Sequence, residues 1–386
     1  MVSSSSWDPE WELHSDLGHT PEPMEVPHAG FHGTLGIPKS QPFFEGWYTR
    51  VQVPYQDVGF AWMLAIEDAA SGRGGGLIQV LGSIGEQEDL HWRSIPGIPG
   101  FWADPDRLAF GHWGAAKTLS PQLLPPEQFF DTVQTGYQLT QTLHQGIFTN
   151  PVTQSVTRWS YQIEPVYTYG IPAQATMGIF SYLPVFEPGW QILMAQGWAT
   201  GWVEWQGQRY LLERAPAYSE KNWGSAFPAR WFWISCNTFP DRPDLSLACV
   251  GSRRGVLWWE DEVGMVALHG CLGSHPGTTP LFLDWKPETS RMSWQVDPWG
   301  SWQVEARGPA GILCLSGQTE RTGTAVMTPS LTGMQYGCRD TLQGSLRMQW
   351  WRQEGQVWVK ELDITSESAC LEVGGTGTQS AWEHQI

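Results

Sequence analysis

Positive charge is scarce in this chain: 22 lysines and arginines stand against 39 aspartates and glutamates, so 22 − 39 = −17 over 386 residues. Such a surface repels phosphate backbones and anionic lipid headgroups, which argues against nucleic acid as a partner. Long apolar runs are missing too, and none approaches the ~18 residues of a membrane-crossing helix. The opening MVSSSSWDPEWELHSDLGH lacks the basic end and apolar stretch of a secretory signal and the arginines of a transit peptide. An intracellular protein is therefore expected. The six cysteines, Cys236, Cys249, Cys271, Cys314, Cys338 and Cys370, show no CxxC spacing and read as free thiols in a reducing compartment.

Several catalytic signatures are also lacking. There is no GxSxG, no HExxH and no GxGxxG opening a helix, which removes the usual marks of serine hydrolases, zincins and dinucleotide enzymes. The glycines from Gly72 to Gly76 precede no Lys-Ser/Thr pair and read as a loop, not a phosphate cradle. His14, His19, His28 and His32 lack a carboxylate or thiolate at ligand spacing, so surface histidines on an arm are expected and no metal site. What remains is cofactor-free acid–base chemistry or simple binding.

Glycine (43), proline (28) and tryptophan (25) are plentiful, which favours short strands and many turns. Alternation predicts a hairpin from Phe44–Val53 and Gly59–Asp68, followed by a strand at Leu77–Gly82. One short helix is expected, from Pro125 to Phe130, with proline in its first turn. Strand-like runs continue to the C-terminal end, so the fold expected is all-β, two packed barrels or sandwiches with little helix. The division expected is an arm over residues 1–40, a first β-domain over 41–210 and a second over 211–386.

Ionisable groups concentrate among aromatic rings between residues 202 and 239. In an extended segment Tyr218, Glu220 and Asn222 share one face, which gives a phenol, a carboxyl and an amide aimed at one place. Trp202, Trp205, Trp223, Trp231 and Trp233 supply an apolar wall, and such surroundings raise a carboxyl pKa so that a proton is held near neutrality. The same residues would also serve as a buried polar network at a domain junction. Glu45 alternates with Trp47 and Thr49; it is either a second acid or half of a structural ion pair with Arg50 or Arg339. Arg339, Asp340 and Glu372 read as structural pairs.

The chain resembles the tocopherol cyclases of plants and cyanobacteria. The likeness rests on Phe43-Phe44-Glu45-Gly46-Trp47-Tyr48, Ala65-Ile66-Glu67-Asp68, Gly201-Trp202-Val203-Glu204-Trp205, Tyr218 to Gly224, Trp231-Phe232-Trp233 with Asn237, Cys338-Arg339-Asp340 and Glu372-Val373-Gly374-Gly375. It implies two lipocalin-like antiparallel β-barrels packed together and closure of a phytylated methylbenzoquinol to a chromanol, without cofactor. Dimethyl substrate would give γ-tocopherol, and the monomethyl analogue δ-tocopherol. The wider group includes carotenoid 1,2-hydratases, whose Tyr-x-Asp-x-Asn/Gln-Trp-Gly pattern is matched here with Glu220 at the Asp position and Lys221 where the hydratases carry histidine. The resemblance implies Glu220 as acid, Tyr218 and Asn222 as orienting groups, Glu45 as a second candidate acid, and substrate contacts from Trp47, Lys221 and the five tryptophans above. It further implies a prenylquinol substrate and peripheral contact with a thylakoid or plasma membrane. The alternatives are a non-catalytic carrier of prenylquinones or carotenoids and a carotenoid-type hydratase.

Overall fold

The structure is a computed structural model that describes residues 24–34, 43–53, 56–68, 74–117, 120–182, 188–256, 259–272 and 279–385. Its first half is one antiparallel sheet of eleven strands. These are β1 (Phe44–Val53), β2 (Val58–Glu67), β3 (Gly75–Ile84), β4 (Gln87–Pro96), β5 (Phe101–Ala103), β6 (Ala109–Ala116), β7 (Val133–Thr140), β8 (Leu143–Thr149), β9 (Val156–Tyr167), β10 (Gly189–Trp205) and β11 (Gln208–Gly224). They run in the order 4-3-2-1-11-10-9-8-7-6-5, so the pairing of β1 with β11 joins two meanders. The one α-helix among the described residues, α1 (Pro126–Thr132), has proline in its first turn as expected.

A second sheet of eleven strands follows: β12 (Arg230–Cys236), β13 (Ser246–Val256), β14 (Trp259–Leu272), β15 (Thr279–Trp285), β16 (Arg291–Val296), β17 (Ser301–Gly308), β18 (Gly311–Gln318), β19 (Thr324–Ser330), β20 (Gly333–Glu354), β21 (Val357–Gly375) and β22 (Trp382–His384). Its central pairing, β12 with β21, repeats the meander junction of the first sheet. The fold is all-β, as alternation predicts, and lipocalin-like, as the resemblance implies; β1 and β2 form the expected hairpin, with Phe44 opposite Glu67 and Val53 opposite Val58. The chain passes between the sheets at residues 225–229; residue 210 lies inside β11.

Each sheet encloses a core of its own. In the first, Trp47, Val51, Phe60, Trp62, Tyr137 and Trp159 meet; in the second, Phe232, Ile234, Trp285, Trp302 and Leu346. Burying a side chain the size of Phe60 contributes about 1.5–3 kcal/mol, and dozens of such groups hold each body together. A third cluster takes Ala61, Ile192 and Tyr218 from the first sheet and Trp233, Met265 and Cys370 from the second. β1 is therefore buried on both faces: Trp47 and Val51 point into the first core, and Tyr48, Arg50 and Gln52 point at the second sheet.

Polar groups fix the two sheets against each other. The buried Arg50 guanidinium donates to Ser235 O and Asn237 Oδ1, both at 2.8 Å, and Asn237 Nδ2 donates to Ala217 O at 3.0 Å. Gln52 donates to Leu342 O at 2.6 Å, while Gln79 both donates to and accepts from the Met327 backbone. Each buried bond of this kind contributes only about 1 kcal/mol, but leaving either partner unmade costs more. The bonds thus specify one seating of the sheets, and that seating shapes the cavity between them.

Candidate active site

Between the sheets lies a cavity of about 560 Å³, within the size range of small-molecule sites. Phe44, Tyr48 and Met63 wall it from the first sheet, and Trp231, Trp233 and Met265 from the second. Most of this lining is apolar. Residues 177–180, ahead of β10, and 326–329, in β19, also border it.

Glu220 projects into this space from β11. Alternation along β11 turns Ala217, Ser219 and Lys221 toward the first core and Tyr218, Glu220 and Asn222 toward the cavity side. Tyr218 OH donates to Glu220 Oε2 at 2.7 Å, and Trp190 Nε1 donates to the same oxygen at 2.9 Å. Oε1 has the long contact of 3.4 Å with Asn222 Nδ2. Burial raises the pKa of Glu220, against the hydrogen bonds from Tyr218, Trp190 and Asn222, which pull it down. With both short bonds on Oε2, a proton on the carboxyl belongs on Oε1, and the same bonds stabilise the carboxylate left when that proton goes.

A second carboxyl, Glu372 of β21, borders the cavity from the other sheet and accepts a hydrogen bond from Trp231 Nε1. Burial, with the charge of Glu220 adding to it, pushes its pKa up to about 7. Below it Asp340 accepts from Cys370 Sγ at 3.1 Å, and Cys370 in turn contacts Tyr48 OH at 3.4 Å. Burial and the nearby Glu372 hold Asp340 well above the usual carboxylate range. Sequence patterns assigned Glu372 and Asp340 to structural pairs with arginine, but Arg339 lies over the Trp299 ring instead, 5.0 Å from its centroid. Trp190 and Glu372 join the site only through strand pairing, which sets Trp190 opposite Asn222 and Glu372 opposite Trp233.

Other expected site residues lie elsewhere. Glu45 is on the opposite face of β1, fully buried in the first core, where Lys221 Nζ sits 2.6 Å from Oε1 and the His32 backbone N–H donates to Oε2 at 2.9 Å. The structural ion pair is thus real, with Lys221 as partner in place of Arg50 or Arg339. Burial pushes both groups toward their neutral forms, and contact with each other pulls them back. Lys221 also donates to His28 O at 2.9 Å and to Gly30 O, so the pair holds the arm.

The arm histidines are not surface groups: His28 and His32 bond to each other at 3.1 Å and pack on Trp223, with centroids 4.9 and 4.4 Å away. His14 and His19 lie outside the described residues. Trp223 is engaged by that packing, not by the cavity. Trp202 and Trp205 stand at the far end of the β10–β11 hairpin, where Trp202 opposes Leu211 while Glu220 opposes Ile192. Trp202 packs against Arg209, 4.3 Å from its centroid, and Trp205 stacks on His91 at 3.8 Å. Trp47 does border the cavity, though its ring stacks on Phe110 in the first core at 3.8 Å. Closeness in sequence is misleading here because the hairpin sets Trp202 opposite Leu211 and Trp205 opposite Gln208, 220 − 211 = 9 and 220 − 208 = 12 positions along β11 from Glu220, or about 30–40 Å.

Comparison with known proteins agrees with the architecture. The sequence profile of the family described as tocopherol cyclase-like matches residues 41–375. A probable chloroplastic tocopherol cyclase of Oryza sativa subsp. japonica is 32% identical over 392 residues, 93% of this chain and 80% of the relative. The chloroplastic tocopherol cyclase of Zea mays is 32% identical over 404 residues, 95% and 82% of the two chains. Among solved structures, the crystal structure of CghA is similar at a TM-score of 0.53 and 10% identity, covering 86% of this chain and 88% of that one, a likeness of fold alone. The chain belongs to the tocopherol cyclase-like family and is an enzyme of that type.

Proposed function

We propose that this enzyme closes 2,3-dimethyl-phytyl-1,4-benzoquinol to γ-tocopherol, and the monomethyl analogue to δ-tocopherol, with Glu220 as the proton donor. The reaction is an isomerisation, so nothing is oxidised or reduced. The observation that carries the reading is a carboxyl in an apolar cavity with both its short hydrogen bonds on Oε2, leaving Oε1 to hold a proton.

A carboxyl at its ordinary pKa of about 4.3 is ionised at neutral pH and a poor acid toward an alkene. Burial counters that, and Tyr218 and Trp190 stabilise the charge that appears on donation. Protonation of the trisubstituted prenyl double bond forms a C–H bond and leaves a tertiary cation. Trp231 and Trp233 offer π faces to it. The quinol oxygen then forms the ring C–O bond and loses its proton.

The substrate's long isoprenoid tail fits peripheral contact with a membrane such as the thylakoid or plasma membrane. Ile179 borders the cavity and is 74% exposed; Leu331, between the lining residues Pro329 and Met334, is 66% exposed. Together they form an apolar rim for lipid.

Anaerobic incubation of the pure protein with dimethylphytylbenzoquinol tests the reading by product mass together with chromatographic separation of chromanol from its isomer, the quinol. Cyclisation returns a chromanol of unchanged mass. A product heavier by one water identifies a hydratase, and unchanged quinol identifies a carrier; either result rejects cyclisation.

A further inference from the structure

Ring closure needs two proton movements, one onto the alkene and one off the quinol hydroxyl, and Glu220 provides for only the first. Among the described residues the cavity holds one other interior carboxyl. Glu288 also borders it but is exposed, whereas Glu372 stands on the second sheet, between Trp233 of β12 and Asp340 of β20 in the strand pairing. Trp231 Nε1 bonds to Glu372 Oε1 and fixes its orientation.

We propose that Glu372 is the general base of the ring closure, taking the quinol hydroxyl proton as the C–O bond forms. This rests on the assignment of Glu220 as donor. Carboxyls facing one apolar cavity disfavour ionising together, so the active form carries its proton on Glu220 with Glu372 ionised, and the Glu372 charge raises the pKa of Asp340, its partner on β20. When Glu220 gives up its proton it becomes charged, and that charge raises the proton affinity of Glu372. The base therefore strengthens at the moment the protonated ether oxygen must lose its proton. An affinity near neutrality, about 7, suits a group that must be an anion before the step and an acid after it.

The step balances. The Glu220 O–H bond breaks and a C–H bond forms; the quinol oxygen bonds to the tertiary carbon; its O–H bond breaks and the proton passes to Glu372. After product leaves, water entering the cavity returns the proton to Glu220, with no change in oxidation state.

The test uses the full chain and dimethylphytylbenzoquinol under anaerobic conditions. Glu372→Gln is expected to keep the wild-type melting profile and a KM within about threefold, lose kcat by about 10²-fold or more, and lose the limb of the pH profile near 7. Glu372→Asp is expected to recover part of kcat with a shifted limb. Wild-type kcat and an unchanged pH profile in a folded Glu372→Gln protein would overturn the proposal while leaving Glu220 as donor intact; failure of the wild type to form chromanol would instead remove the underlying reading. If Glu372→Gln does not fold, Trp231→Phe serves, because it removes the N–H that lowers the Glu372 pKa. The limb near 7 should then move to higher pH, and an unmoved limb overturns the proposal.

Discussion

Glu45 and Glu220 stand on opposite faces of one sheet, on adjacent strands, with Glu45 opposite Trp223 and Glu220 opposite Tyr48. The same backbone thus presents one carboxyl to a closed core and the other to a cavity. Glu45 has a cation at 2.6 Å and a backbone N–H at 2.9 Å; Glu220 has neutral donors only. Lys221 pulls the burial-raised pKa of Glu45 back down, whereas Glu220, with neutral hydrogen-bond donors in an apolar wall, is left able to bind and release a proton.

The two carboxyls should therefore separate in a kinetic comparison. Glu220→Gln is expected to fold and bind substrate but lose ring closure by about 10²–10⁴-fold. Glu45→Gln should lose stability while keeping kcat per folded molecule within about threefold of wild type. Tyr218→Phe, which removes one of the two bonds to Oε2, should lower kcat by roughly tenfold, the scale of one hydrogen bond to a developing charge. Single-turnover rates at saturating quinol check all three, and near-wild-type closure by Glu220→Gln would exclude it as donor.

Removing one member of the buried Glu45–Lys221 pair should cost more than removing both. Lys221→Met leaves a buried carboxylate and unmakes the bonds to His28 O and Gly30 O, a loss of about 3–5 kcal/mol on the scale of broken buried pairs. The double variant Glu45→Gln/Lys221→Met should recover much of this. Urea unfolding of the two singles and the double gives the coupling directly; additive losses would mean that the pair does not act as a unit.

The fold and half of the site were legible because their signals are local. Alternation in Phe44–Val53 identified both the strand and the partner hairpin, and alternation in 218–222 put Tyr218, Glu220 and Asn222 on one face. Glu372 was not legible, since its role depends on β21 lying beside β12 and on the second sheet facing the first. The Glu45 partner is hidden for a similar reason: Lys221 meets Glu45 only because β11 pairs with β1, and nothing local to either residue shows that pairing. Trp202 and Trp205 erred in the other direction, because aromatic density along the sequence says nothing about which end of a long hairpin a residue occupies.

His144 predicts a pH-dependent share of stability. Burial lowers its pKa to about 3, and its ring bonds to Tyr161 OH at 2.9 Å. In the unfolded chain it takes up a proton below about 6.5, while the folded protein leaves it neutral down to about 3. The unfolded state binds more protons across that window, so the contribution is complete above 6.5 and is lost as pH falls, by about 1.4 kcal/mol per pH unit. Wild type should therefore exceed His144→Gln in unfolding free energy at pH 8, with the difference shrinking toward pH 5. Paired denaturant curves at several pH values test this, and a pH-independent difference would contradict it.

The rim of the cavity leads to a prediction about lipid. The net charge of −17 opposes contact with anionic vesicles, so binding must come from apolar area and should favour zwitterionic lipid. Ile179 borders the cavity, Leu331 lies between the lining residues Pro329 and Met334, and they expose 74% and 66% of their surface, which leaves their side chains little folded-state packing to lose. Ile179→Asp and Leu331→Asp should keep the melting temperature within a few degrees. Each should also reduce flotation with phosphatidylcholine vesicles, the pair together by about tenfold or more. Turnover of quinol dispersed in detergent should be unchanged, whereas turnover of vesicle-borne quinol should fall with binding. Equal flotation of wild type and double variant would remove the rim as the membrane contact; equal loss of turnover in detergent and vesicles would place these side chains in substrate binding instead.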